Sequence, residues 1–265
     1  MARYLRDEQL NNVTVDAELI EQIANELMNR SQTMPEYEEI NADGEHDVFI
    51  IFTIRYDQKG YKVFTPDELL RYFNQAINVE RIIFQIESGK SLTSNKAIGG
   101  FLNVNLDNIQ PSFLTVSSDN EAWMDGAFCS IKEIITKHKN KNHIFRNPWS
   151  ELIIQLFGVL IGFALSLWGA SKIAPNITIE NAFLISFLLL LLIFSNLWGQ
   201  IGSQLKKLLN SAFPSIKFYR TDKDRLHWLY QTVVGGIVLA GALIILNGIF
   251  GFIGKMLGVF VGVNA

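Results

Sequence analysis

Apolar residues in the second half of the chain form three stretches long enough to cross a lipid bilayer, whose hydrocarbon core takes about 20 helical residues. The first runs from about Leu152 to Ala170. Asn147-Pro148-Trp149 just before it reads as a helix start, with a capping asparagine and a proline in the first turn. The second stretch covers about 182–201 and contains LISFLLLLLIF with no charge inside, and the third covers about 229–254. Four of the five tryptophans, Trp149, Trp168, Trp198 and Trp228, stand at the ends of these stretches. An indole, apolar with one polar N–H, suits the lipid–water interface.

The first half is patterned differently. Asp16 caps a helix reaching about Asn29, with Ile20, Ile23, Ala24, Leu27 and Met28 on one face. Residues 48–56 read as a buried strand, Asp57-Gln58-Lys59-Gly60 as a turn, and 61–64 as a short strand. Thr65-Pro66-Asp67-Glu68 starts a helix that ends near Asn78. Strands are expected over 81–87, 101–106 and 113–117, then a helix from about Glu121 to His138. Leu102, Val104 and Leu106 alternate with Asn103 and Asn105, so one sheet face is wet. The pattern predicts a cytoplasmic α+β domain over 1–140, mainly antiparallel sheet with flanking helices. A basic linker over 141–150 then leads to an all-α transmembrane domain of three helices over 151–265.

Composition sharpens that division. Of the 49 charged side chains, 37 precede residue 149, leaving 12 for the last 117 residues. A soluble globular chain carries roughly a quarter charged residues, so the back half cannot clothe three apolar helices in water. Lys132, Lys137, Lys139, Lys141 and Arg146 precede the first stretch, and Lys206, Lys207, Lys217, Arg220, Lys223 and Arg225 separate the second from the third. Lys172 and Lys255 stand on the opposite side. The excess of positive charge places the N-terminal domain in the cytoplasm and the C-terminus outside. Residues 1–20 are charged and lack the apolar core of a signal peptide. A single cysteine, Cys129, excludes an internal disulfide framework, and a net charge of −3 argues against general adhesion to nucleic acid.

Small residues organise the apolar stretches. Gly158, Gly162, Ser166 and Ala170 are four apart on the first, a helix-packing stripe. Asn247, Gly251, Gly254, Gly258 and Gly262 share one face of the third and beyond. A glycine face this long suits packing around a symmetry axis or lining a narrow pore. Three helices are too thin to enclose a channel, so the expectation is a homo-oligomer, a tetramer or larger.

Catalytic chemistry has little support. His46, His138, His143 and His227 are scattered without ligand spacing, so no metal or cofactor is expected, and the chain reads as a non-enzyme. Gly89-Lys90-Ser91 imitates the end of a phosphate-binding loop, but Phe84 stands where the pattern needs glycine, and Lys90 is expected to end a strand. The loop Ser88–Gly100 combines Lys90, Ser91 and Lys96 with further hydroxyls and glycines. With Lys59 and Lys62 from the neighbouring turn, it is the candidate site for an anionic, phosphate-bearing ligand, the alternative being a flexible, solvated hairpin loop.

A soluble α+β domain ahead of three spans, the first opening at Asn147-Pro148-Trp149, is similar in layout to membrane effectors of bacterial anti-phage defence. Within that group it resembles the membrane effector of the Hailong system. The resemblance lies in architecture and hydropathy over the whole chain. It implies an inner-membrane pore gated by a nucleotide or oligonucleotide signal, in that family a short DNA oligomer made by a partner nucleotidyltransferase. The other functional class is a non-conducting, membrane-anchored adaptor that recruits a cytosolic partner.

Overall fold

The computed structural model describes residues 4–38, 47–140, 142 and 147–220, and beyond these 229, 232, 233, 235, 236, 247, 248 and 251. Two compact units divide the chain: residues 1–143 with 214–224, and residues 144–213 with 225–265. The boundary is therefore not the single cut that hydropathy suggests, because the segment after the second apolar helix belongs to the first unit.

The first unit is a two-layer α+β fold. Its strands are β1 (Tyr4–Leu10), β2 (Val13–Val15), β3 (Val48–Tyr56), β4 (Lys59–Val63), β5 (Val79–Ser88), β6 (Phe101–Asp107), β7 (Ser112–Ser118) and β8 (Ile216–Phe218). Its helices are α1 (Ala17–Gln32), α2 (Pro66–Gln75), the short α3 (Gly89–Thr93) and α4 (Glu121–Lys137). Six strands form an antiparallel sheet in the order β1-β7-β6-β5-β3-β4, while β2 and β8 pair in parallel. Asp57 and Gln58, both at positive φ, make the two-residue turn from β3 to β4. The helix starts form at the expected caps: Leu19 N–H donates to Asp16 Oδ1 at 2.8 Å, and Glu68 N–H to Thr65 Oγ1 at 3.4 Å.

Alternation decides which sheet face is covered. Phe52, Phe84, Val104 and Leu114 lie in one cross-strand row, Ile54, Ile82 and Leu106 in the next, and all are buried beneath α1, α2 and α4. The opposite face carries Phe49, Thr53, Gln85, Asn103, Asn105 and Phe113, with no α1, α2 or α4 layer, and Phe49 and Phe113 are exposed. Tyr56, Tyr61 and Tyr72 stack at 5.2 and 4.9 Å, joining the β3–β4 hairpin to α2.

The second unit contains α5 (Pro148–Ile173) and α6 (Ala182–Ala212), joined through a 3-10 turn at Ala174–Asn176. Asn147 caps α5, its side chain accepting from Trp149 N–H at 3.1 Å, with Pro148 in the first turn. Both helices are long and apolar enough to cross a membrane, with candidate spans Ile154–Asn176 and Ala182–Ala212. The expected third stretch, 229–254, lies mostly outside the described residues; the eight described positions within it, 229, 232, 233, 235, 236, 247, 248 and 251, are helical. Three transmembrane helices are thus an expectation, and two apolar helices are what the structure places.

Candidate functional site

The short strand β2 holds both connections that lead to and from the apolar helices. Along one edge, Thr14 N–H donates to His138 O at 2.9 Å and Asn140 N–H to Asn12 O at 2.7 Å. Along the other edge, Val13 N–H donates to Ser215 O at 2.9 Å and Tyr219 N–H to Val15 O at 2.8 Å. Residues 138–140, on the way into α5, and 215–219, on the way out of α6, are therefore strapped to opposite edges of one strand. Asn142 Nδ2 also donates to Pro214 O at 3.0 Å, tying the two connections together.

Side chains lock the returning segment. Ile216 is 1% exposed and joins the main hydrophobic core. Arg220 donates from both terminal nitrogens to the carbonyls of Ala76 and Ile77, just past the end of α2. A helix C-terminus leaves carbonyls without intrahelical donors and carries partial negative charge, so a guanidinium there is favourable.

A cavity of about 420 Å³ borders this clasp, between the β1–β2 turn and the last turns of α4. Lys132, Lys139, Asn12 and Thr136 line it together with Glu8, whose carboxylate pairs with Lys132 at 2.5 Å. Asn12 sits at φ 61, a left-handed conformation that asparagine tolerates, and its Oδ1 is buried without a hydrogen-bond partner among the described residues. Two lysines against one carboxylate leave the lining with a positive excess.

The loop proposed from the sequence is built differently from expectation. Lys90 does not end a strand; it lies in the first turn of α3, because Ser88 Oγ caps that turn by accepting from Ser91 N–H at 3.3 Å. Ser88 Oγ also accepts from Gly100 N–H, and Ser91 is buried with its hydroxyl donating to Glu87 Oε1 at 3.0 Å. The Lys96 ammonium lies 4.2 Å from the Phe101 ring centroid, and Gly99, at φ +83, donates its N–H to Asp119. Lys59 and Lys62 do not join this loop. They pair with Tyr56 and Thr53, eight and five residues along β3 from Val48, the partner of Ser88. At about 3.3 Å per residue they stand roughly 26 and 17 Å away.

Carboxylates surround the loop instead. Glu36 is 5% exposed, and burial pushes its carboxyl above the ordinary carboxylate value, with Lys90 opposing and Asp119 adding to the rise. Lys90 and Asp119 both act on Glu36, and Asp119 accepts from Gly99 N–H, so an anion at Lys90 would have carboxyl groups for neighbours. A raised carboxyl favours folding while it is protonated, and that contribution is lost as pH rises through its folded value. Glu36→Gln is therefore expected to raise the melting temperature at pH 7, by about 2–4 °C for each kcal/mol relieved. The gain should shrink as pH falls toward 4.5; a pH series of melts for both proteins checks this.

In the apolar helices, Gly158, Gly162 and Ser166 face α6. The Trp198 indole occupies the position a Cβ on Gly158 would take, Phe194 Cβ lies 3.6 Å from the corresponding point at Gly162, and Ser166 is fully buried. Asn247 and Gly251 are exposed, and a Cβ on Gly251 would meet nothing within 4 Å among the described residues. Gly254 and Gly258 lie outside the described residues. No three His, Cys, Asp or Glu side chains among the described residues group as a metal site.

The residues of the clasp, Asn12, Val13, Val15, Ser215, Ile216 and Arg220, are not singled out by sequence reasoning. The available signals were Asn11-Asn12 as a turn before the Val13-Thr14-Val15 alternation, and Ile216 and Phe218 alternating within a basic segment. No protein family matches this chain, and no curated protein or solved structure matches it either.

Proposed function

We propose that the chain is a homo-oligomeric inner-membrane pore, governed from the cytoplasm through the β2 clasp. The observation that carries the reading is that one three-residue strand binds the connections on both sides of the α5–α6 hairpin. Any shift of the β1–β2 turn or of α4 then acts on both connections at once. A ligand gates such an assembly only by binding its open and closed forms with different affinity. The cavity beside the clasp, with Lys132 and Lys139, suits an anionic signal such as a nucleotide or short DNA oligomer. This matches the role implied by the anti-phage resemblance.

Exposure supports the membrane part of the reading. Val159, Leu188, Leu189 and Leu192 are each more than half exposed, and only 17% and 6% of the most apolar windows of the two candidate spans are buried. Water penalises such a surface at roughly 25 cal/mol per Å², whereas lipid does not. The basic segments before α5 and after α6 then face the cytoplasm. Asn247 and Gly251, exposed on their helix, are left to meet other copies around a shared axis.

The adaptor reading draws on the sheet face opposite α1, α2 and α4, where Phe49 and Phe113 are exposed among the described residues. Planar-bilayer recordings of the purified chain, with and without a short DNA oligonucleotide, separate the two. A pore gives ligand-dependent current that Asn247→Leu changes at least several-fold. Silence in every condition, with a monomer on native mass analysis, removes the pore and leaves the adaptor.

A further inference from the structure

The six-stranded sheet ends in β1 on one side and β4 on the other, and among the described residues no strand pairs with either outer edge. Every pairing inside the sheet is antiparallel, so β1 and β4 run in opposite directions. A β4 edge from a second copy, laid beside β1, continues the antiparallel alternation.

Hydrogen-bonding parity fixes which backbone groups face outward. The two-residue turn at Asp57-Gln58 makes Tyr56 and Lys59 a bonded pair, and bonded pairs alternate from there. Gly60 and Lys62 therefore turn their N–H and C=O groups away from β3. Carried across the sheet, the same alternation turns Leu5, Asp7 and Gln9 outward on β1. The bonds from Ser88 N–H to Gly100 O and from Asn108 N–H to Glu80 O agree with it on β5.

One register matches these groups and their side chains together. With Asp7 opposite Lys62, Gln9 meets Gly60, and Leu5 meets Phe64, the residue after β4. Leu5 and Phe64 are 63% and 64% exposed. Asp7 and Lys62 are exposed too, and neither has an ion-pair partner among the described residues. Both lie on the sheet face opposite α1, α2 and α4, since Asp7 pairs with Thr115 and Lys62 with Thr53. Pairing of like edges is poorer. Antiparallel β1 on β1 sets Arg6, Asp7 or Glu8 against itself in the central registers, and β4 on β4 brings lysines together without a carboxylate.

We propose that copies of this chain join head to tail, β1 of one along β4 of the next, with Asp7 paired to Lys62 and Leu5 packed on Phe64. A head-to-tail contact forms a ring where its rotation closes, and a closed ring leaves no open edge. Three bonded pairs make a small contact by themselves. Apolar helices of the same assembly hold the edges at a high effective concentration. The proposal rests on the homo-oligomer reading above but not on conduction.

Gln9→Cys and Gly60→Cys, in the full chain carrying Cys129→Ser, test the register. Bonded partners stand about 5.5 Å apart at Cα, within disulfide reach. Gln9 is exposed, and a Cβ on Gly60 would meet nothing within 4 Å. Within one copy the two positions are on opposite sheet edges, five strand spacings or roughly 24 Å apart, so the bond forms only between copies. Oxidised in detergent, the double-cysteine chain should give a ladder of cross-linked species on a denaturing gel, and either cysteine alone should give none. Lys62→Glu should weaken association about tenfold by analytical ultracentrifugation, and adding Asp7→Lys should restore most of it. No ladder from an oligomeric chain, cross-links from either single cysteine, or no recovery in the charge-swapped pair would each overturn the edge contact. A monomer on native mass analysis refutes the homo-oligomer itself, and the edge contact with it.

Discussion

Ile216→Ala is expected to release the returning segment from the α+β unit. Ile216 is 1% exposed and belongs to the same core cluster as Val13, Val15 and Ile135. Removing a buried isoleucine to alanine costs about 2–5 kcal/mol, the lost transfer energy plus the cavity left behind. Three residues of parallel pairing cannot offset that, since β2 and β8 share only the register Val13↔Ile216, Thr14↔Lys217 and Val15↔Phe218. Amide exchange over 213–220 should accelerate by roughly thirtyfold to several-thousandfold, at about 1.36 kcal/mol per factor of ten. The six-stranded sheet should keep most of its protection. On the pore reading, current should then lose its dependence on ligand while single-channel conductance stays. Unchanged exchange in 213–220 would show that the clasp does not hold the segment, and the coupling idea would fall with it.

Gly158→Leu should part α5 from α6. The indole of Trp198 stands where any side chain on Gly158 would begin, so the larger residue can be accommodated only by expelling the ring. Overpacking of this kind costs about 1–3 kcal/mol. The remaining hairpin contacts, the edge-to-face pair of Phe163 and Phe187 at 5.5 Å and Leu190 against Gly169, depend on the same close approach. Apolar helices in lipid have no hydrophobic drive to associate, so complementarity of shape holds them. The melting temperature of the detergent-solubilised chain should drop by roughly 2–12 °C. Trp198→Ala in the Gly158→Leu background should recover most of that loss by making room. A Gly158→Leu protein as stable as the original, or no recovery in the double variant, would remove this contact as the basis of the hairpin.

Much of the fold is written in local pattern. The 3.6-residue spacing of Ile20, Ile23, Ala24 and Leu27 and the alternation of Leu102, Val104 and Leu106 select helix and strand from their own periods. Asp16, Thr65 and Asn147 start helices because their side chains satisfy backbone donors that have no partner within the helix. β1 escapes such reading. Its sequence YLRDEQL is polar and exposed, with charges that blunt a sheet edge, and only pairing with β7 makes it a strand. β2 and β8 are three residues each, too short to carry any period.

The candidate sites divide along the same line. Composition groups Lys59 and Lys62 with Lys90 and Lys96, but the β3–β4 register carries Lys59 and Lys62 along the sheet, away from the loop. Glu36 and Asp119 arrive beside that loop from other elements, and sequence distance hides them. Local composition alone determined the antiparallel α+β layer, the apolar helices and the positive charge flanking them, because burial and periodicity act residue by residue. Tertiary structure alone decided that β2 grips both connections and that Trp198 fills the space above Gly158. Each of these joins residues tens to hundreds of positions apart, where contact depends on how whole elements pack and no short window of sequence records it.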